Sequence, residues 1–293
     1  MIDGCMMQVF SVPGNVQWLD GGAMYGNAPR PVWEKWSPPD ARNRIELACR
    51  AMLVRDGGKN VLCEAGIGVF FDPKLRDRFG VTEERHVLLD SLRAVGLGHE
   101  EVDVVVLSHL HFDHAGGLLT SFADGKKLLF PKATFVVSRP HWERAKDPHP
   151  RDRASFIPEL NEQLEASGRL ELVAPDASGV AHAKALDAAR WSFTFSDGHT
   201  PGLMVTTVET PRGPVSFPAD LIPGAPWVHL PITMGYDRFP EKLIEEKRAL
   251  LERVRDRNGW LFFTHDPRVS CARAKEEKGR WSAIEEQGDV RWT

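Results

Sequence analysis

The chain has 293 residues, 42% of them hydrophobic and 27% charged, with a formal net charge of −4. That balance supports a sizeable buried core in one or two domains, and with no visible linker we read residues 1–293 as a single domain. The acidic balance leaves no basic footprint for nucleic acid, and no apolar run approaches the ~18 residues needed to span a membrane.

Met6 to Val12 alternates loosely and predicts a first strand. A glycine-rich loop from Leu19 to Asn27 follows, then a proline-rich stretch to Pro39. Together they carry Met24, Tyr25, Trp33 and Trp36, which suit either a core plug or a binding lip. Ile45–Val54 and Asn60–Glu64 predict two strands joined by a hairpin at Gly57-Gly58. His86 to Leu97 has the apolar spacing of an amphipathic helix, and Val102 to Leu107 reads as a buried strand. Ala133–Ser138 predicts another strand, and the charged stretch from Arg139 to about Ala189 helical cover, with a helix at Glu159–Ala166. Strands are then expected at Trp191–Phe195, Leu203–Thr210, Val215–Phe217 and Trp260–Phe263, with the clearest helix at Glu241–Arg257. The four cysteines, Cys5, Cys49, Cys63 and Cys271, form no C-x-x-C pair and are expected reduced. With no signal-peptide pattern at the N-terminus, the expected location is the cytoplasm.

The strand ending at Leu107 runs into Ser-His-Leu-His-Phe-Asp-His, which places His109, His111, Asp113 and His114 within six residues. Imidazole nitrogen and carboxylate oxygen at this density suit zinc and its first-row neighbours. Three later strands end on the same side-chain types, at His199, Asp220 and His265. Ligands carried on loops at strand ends are a usual way to build a site on a rigid sheet.

These motifs, His-x-His-x-Asp-His, Gly198-His199, Ala219-Asp220 and His265, resemble those of the metallo-β-lactamase fold superfamily. The resemblance implies an α/β fold, an αββα sandwich of two mixed β-sheets flanked by helices. It implies one metal held by His109, His111 and His199 and a second by Asp113, His114 and His265, with Asp220 bridging. The family's aspartate after the early strand is Glu64 here. A closer resemblance, through Leu19–Gly26, Pro31–Lys35, Gly80–Glu84 and Ser196–His199, is to the quorum-quenching N-acyl-homoserine-lactone lactonases. Many of those carry a tyrosine three residues after the bridging aspartate. Pro223 stands there, so Tyr25 or Tyr236, the two tyrosines of the chain, would have to substitute or the metals act alone.

The expected chemistry is hydrolysis of a lactone ester by water activated at two divalent ions, with Asp113 and Asp220 as catalytic carboxylates. Zinc is the expected metal; manganese, cobalt and iron also fit. The expected partner is a small-molecule lactone or ester, neither nucleic acid nor membrane, with a homodimer left open. Met24, Tyr25, Trp33, Trp227 and Phe239 would form an apolar wall for an acyl chain or simply pack the core, and His229 and Tyr236 are further pocket candidates. The alternatives are a hydrolase of phosphotriesters, arylesters or thioesters on the same scaffold and a non-catalytic ligand-binding member of the fold.

Overall fold

The computed structural model describes residues 7–293. Its strands in chain order are β1 (Gln8–Val12), β2 (Gln17–Asp20), β3 (Arg44–Leu47), β4 (Ala51–Asp56), β5 (Lys59–Cys63), β6 (Val104–Val106), β7 (Thr134–Ser138), β8 (Leu170–Val173), β9 (Trp191–Ser196), β10 (Leu203–Val208), β11 (Val215–Phe217), β12 (Trp260–Phe262), β13 (Cys271–Glu277), β14 (Arg280–Gln287) and β15 (Arg291–Trp292). The helices are α1 (Gly21–Tyr25), α2 (Arg30–Trp33), α3 (Pro73–Phe79), α4 (Val87–Ala94), α5 (Phe112–Ala115), α6 (Arg139–Lys146), α7 (Pro158–Ala166) and α8 (Pro240–Asp256).

Seven strands form one sheet in the order β15-β1-β4-β5-β6-β7-β8, and six form another in the order β14-β13-β12-β11-β10-β9. Both are mixed: β5 to β8 run parallel beside an antiparallel β4, and a parallel β11–β12 pair sits among antiparallel neighbours. The two-residue period of a strand generates the layers. Along β4, Ala51 and Leu53 enter one core while Met52 and Val54 enter another; in β7, Phe135 and Val137 oppose Val136 in the same way. The core shared by Met52, Val54, Val136, Phe193, Met204 and Phe262 lies between the sheets. The outer face of the first sheet is covered by Leu88 and Leu92 of α4, Trp142 of α6, and Leu160 and Leu164 of α7. The outer face of the second is covered by Leu243, Leu250, Leu251 and Val254 of α8, each burial stabilising by about 1.5–3 kcal/mol. The result is helix, sheet, sheet, helix. Strands buried on both faces need continuous apolar sequence, which is why Val102–Leu107 lacks polar alternation.

Several expectations change. Ile45–Val54 is two strands, because Ala48 and Arg50 turn away from the ladder: their N–H groups donate to the carbonyls of His265 (3.1 Å) and Thr264 (3.0 Å). The glycine-rich loop folds into α1, capped by the Asp20 side chain accepting from the Ala23 N–H at 2.8 Å. The helix α3 was not expected, although its signature is present: Asp72 caps it, Pro73 opens it and Gly80 closes it in the left-handed region at φ 64. The strands β8, β13 and β14 were also not expected. Met6 and Cys5 lie outside the described residues, while Cys49, Cys63 and Cys271 are free and buried. Among the described residues no helix is long and apolar enough to cross a membrane.

Candidate metal centre

The histidines converge from strand ends of both sheets. His109 and His111 follow β6, and Leu110 between them donates its N–H to His141 Nε2 (2.8 Å). His141 in turn faces the Pro201 carbonyl (3.0 Å), and burial pushes its pKa down to about 4. His199 follows β9 in a loop that Glu246 of α8 fastens by accepting from the N–H groups of Asp197 and Gly198, both at 3.0 Å. Gly198 is required there, since a Cβ would lie 2.4 Å from Leu243 Cβ. Asp220 sits in a single turn after β11, and His265 follows β12.

The donor atoms gather in overlapping groups: His109, His111 and His199; His109, His114 and Asp220; and Asp113, His114 and His265. His111 Nδ1 lies 3.1 Å from His109 Nε2 and 3.3 Å from His199 Nε2, and the Nε2 atoms of His114 and His265 are 3.2 Å apart. Asp220 spans the two sets. Its Oδ2 is 3.2 Å from His199 Nε2, and its Oδ1 is 3.3 and 3.2 Å from the Nε2 atoms of His114 and His265.

The outward nitrogens decide what the inward ones carry. Nδ1 faces Glu64 Oε2 at 3.0 Å in His114, Asp237 Oδ1 at 2.9 Å in His199 and the Ala48 carbonyl at 2.6 Å in His265. Each acceptor fixes a proton on Nδ1 and leaves Nε2 as a lone pair. Lone pairs from His114 and His265 therefore point at each other, and Asp220 Oδ1 is buried without a hydrogen-bond partner. For neutral rings that arrangement is repulsive unless a cation, a proton or a metal ion, lies among them. Tetrahedral zinc with bonds of about 2.0–2.1 Å sets its ligand nitrogens about 3.3 Å apart, so the donor set fits such an ion.

The electrostatics agree. Burial and the neighbouring imidazoles hold His109 and His111 well below the usual histidine range, the neutral state a ligand needs. Burial opposes charge on His114 and His265 too, but Asp220 outweighs it and pushes both well up. Burial likewise works against a charged Asp220, yet His114, His265 and His199 hold it well below the carboxylate range. The pocket wants positive charge. Backbone strain collects here as well: Glu64 (φ 72) and Ala219 (φ 47), next to Asp220, occupy the left-handed region.

The sequence missed the supports. Glu64 is fully buried and double-sided, accepting from the Ser108 N–H (2.7 Å) as well as facing His114. Asp237 faces His199 with one oxygen and accepts from the Met234 N–H (2.6 Å) with the other; Gln17 Nε2 donates to Asp113 Oδ2 at 2.7 Å. Only the early acidic position of Glu64 carried a signal.

A cavity of about 270 Å³ opens over the histidines, and Met24 and Tyr236 line it. The other pocket candidates lie elsewhere. Tyr25, Trp33 and Trp227 are buried in the second sheet's outer core, where Tyr25 stacks on Trp33 at 5.6 Å and on Trp227 at 4.5 Å. His229 borders a separate hollow with Arg280 and Trp281. Phe239 is 53% exposed and does not line the cavity.

Comparison with known proteins agrees with this architecture. The N-acyl homoserine lactonase of a Bacillus species is 30% identical over 141 residues, 48% of this chain and 46% of that one. Its Bacillus thuringiensis counterpart is 27% identical over 197 residues, 64% of each chain. The match thus spans about half to two thirds of these relatives. Among solved structures, a probable metal-dependent hydrolase from Staphylococcus aureus superposes with a TM-score of 0.80 at 25% identity, covering 95% of this chain and 97% of that one. AidC, a dizinc quorum-quenching lactonase in complex with a product, shares the fold with a TM-score of 0.73 at 21% identity, covering 96% and 95%. The family model of the metallo-beta-lactamase superfamily matches residues 44–265, and this chain belongs to that superfamily.

Proposed function

We propose that this chain is a metal-dependent hydrolase acting on ester bonds, and that it opens lactones, N-acyl homoserine lactones among them. One observation carries the reading: the two oxygens of Asp220 face two different histidine sets, the arrangement of a carboxylate between two ions. His109, His111 and His199 would hold one, Asp113, His114 and His265 the other, with zinc the expected metal. The lactonase relatives and the dizinc neighbour support the substrate class and the metal.

A pair of such ions supplies a water acidified to a pKa of about 7 and polarisation of the ester carbonyl. The remaining work falls to side chains. Asp113, held by Gln17 through Oδ2, is placed to take a proton at Oδ1 and return it to the leaving alkoxide. Of the two tyrosines, Tyr25 is buried with its hydroxyl 2.7 Å from Ser37 Oγ, whereas Tyr236 lines the cavity. Burial pushes the Tyr236 phenol up, with Asp113 and Asp20 acting in the same direction, so it stays protonated and can donate to the substrate carbonyl. Tyr236→Phe is expected to lower kcat about 100-fold, the effect of one lost donor to a developing oxyanion, with metal content unchanged. An unaltered kcat removes Tyr236 from the mechanism.

The reading itself is tested by acid release in a pH-stat. Metal-loaded protein should open acyl homoserine lactones at least ten times faster (kcat/KM) than it turns over phosphotriesters or aryl esters. The reverse order would replace the lactone assignment with the phosphotriester or arylester one.

A further inference from the structure

Three arginines, Arg78, Arg151 and Arg238, line the cavity over the histidines. The acidic residues on the same wall are Asp113 and Asp220, both gathered with the histidines. Arg238 is the informative one. Its side chain is 8% exposed, yet its buried Nε and Nη1 have no hydrogen-bond partner among the described residues. Asp152 Oδ2 lies 3.6 Å from Nε, but Arg144 already reaches that oxygen with Nε at 3.1 Å and Nη2 at 2.9 Å. One oxygen of Asp152 thus faces two guanidinium groups and Arg238 keeps the poorer share of it, while the other oxygen, Oδ1, is buried without a hydrogen-bond partner; the cluster of two arginines and one carboxylate keeps a net positive charge. A buried charged donor left open is unfavourable unless an acceptor arrives to complete it.

Its place relative to the histidines is fixed. The Arg238 N–H donates to the carbonyls of Gly198 (2.9 Å) and His199 (3.2 Å), and the preceding residue, Asp237, holds the His199 ring. Arg151 stands at the same loop, where its Nη2 donates to the Gly235 carbonyl at 2.9 Å, and no carboxylate pairs with it among the described residues. Beside Ser155 and Tyr236, the wall carries apolar side chains at Met24, Phe79 and Phe112. A purely alkyl arm would use those three and offer no acceptor to the buried Arg238 or to the exposed Arg151 beside it. A carboxylate would satisfy them, because guanidinium and carboxylate match in shape and charge.

We propose that the preferred substrate carries a carboxylate on the arm remote from its lactone or ester bond, and that Arg238, assisted by Arg151, receives it. The inference rests on the hydrolase reading above and narrows its substrate class to acidic lactones or esters with a compact apolar middle.

The test pairs two homoserine lactones whose acyl arms have equal length, one ending in a carboxylate (N-glutaryl) and one in a methyl (N-pentanoyl). Metal-loaded wild type should favour the acidic arm at least 10-fold in kcat/KM. Arg238→Met should reduce that preference about 10- to 100-fold, through KM, and Arg238→Lys should restore part of it. Using the ratio of the two substrates cancels any general damage to the variant. A second readout needs no turnover: calorimetric Kd values of the matching lactam analogues should show the same preference in wild type and lose it in Arg238→Met. Opening of both lactones with no preference, or an equal loss on both in the variant, overturns this inference and leaves the lactonase reading standing. Opening of neither lactone overturns the lactonase reading. The charge preference is then scored on acidic and neutral aryl esters, where its absence overturns the inference as well.

Discussion

Asp220→Asn is expected to leave the protein folded, to reduce its metal content below two ions per chain and to lower ester hydrolysis by about 1,000-fold or more. The size follows from what the buried carboxylate does. Its Oδ1 faces His114 and His265 and its Oδ2 faces His199, so this carboxylate reaches both sets. The amide keeps the shape and removes the charge that draws positive charge to the pocket, and the loss of electrostatic stabilisation at such a centre is several kcal/mol. Metal content by mass spectrometry and kcat/KM on the same preparation check it. A variant retaining two ions and a tenth of the activity would sink the bridging role.

The second large effect concerns stability. Lys247 on α8 is fully buried and donates through Nζ to the carbonyls of Trp227 (2.9 Å), His229 (3.2 Å) and Ile232 (2.7 Å). That one side-chain nitrogen anchors the start of the loop that goes on to deliver Met234, Tyr236, Asp237 and Arg238. Lys247→Met keeps the length and leaves three carbonyls without their donor. At about 1–3 kcal/mol for each unsatisfied buried group, partly recovered by water, the expected loss is about 3–5 kcal/mol. The deficit should also depend on pH. Burial pushes Lys247 down to about 7 from 10.5, against the pull of Asp237. Between these values the unfolded chain binds the proton and the folded one does not, so this lysine's contribution to stability rises with pH across that window. Urea unfolding at pH 7 and pH 9 should therefore show the gap between wild type and Lys247→Met widening, by up to about 1.4 kcal/mol per pH unit. A deficit under 1 kcal/mol at both values would contradict the anchoring role.

The division between what sequence shows and what it hides follows distance along the chain. The central strand and its histidines are legible because strand burial and ligand density are local patterns. His199, Asp220 and His265 are legible because each ends a separate apolar run. The supports are not. Asp237 meets His199 across 38 positions and Gln17 meets Asp113 across 96, and nothing in the intervening residues announces either pairing. The break between β3 and β4 is invisible for the same reason: Ala48 and Arg50 are pulled from the ladder by Thr264 and His265, more than 200 positions away. The hairpin of β13 and β14 hides because its outer half is exposed and charged, as in Lys275-Glu276-Glu277, so no apolar alternation marks it. The aromatic residues near the N-terminus divide for a geometric reason. Met24 faces the cavity, while Tyr25 and Trp33 turn the other way to stack in the core.

The most direct measurement is metal stoichiometry followed through chelation and reloading, with lactone opening recorded at each step. Two divalent ions per chain, activity that disappears as they are removed, and recovery on adding zinc back are the predicted results. Hydrolysis that survives complete metal removal, or full activity with one ion or none, would contradict the account at its centre.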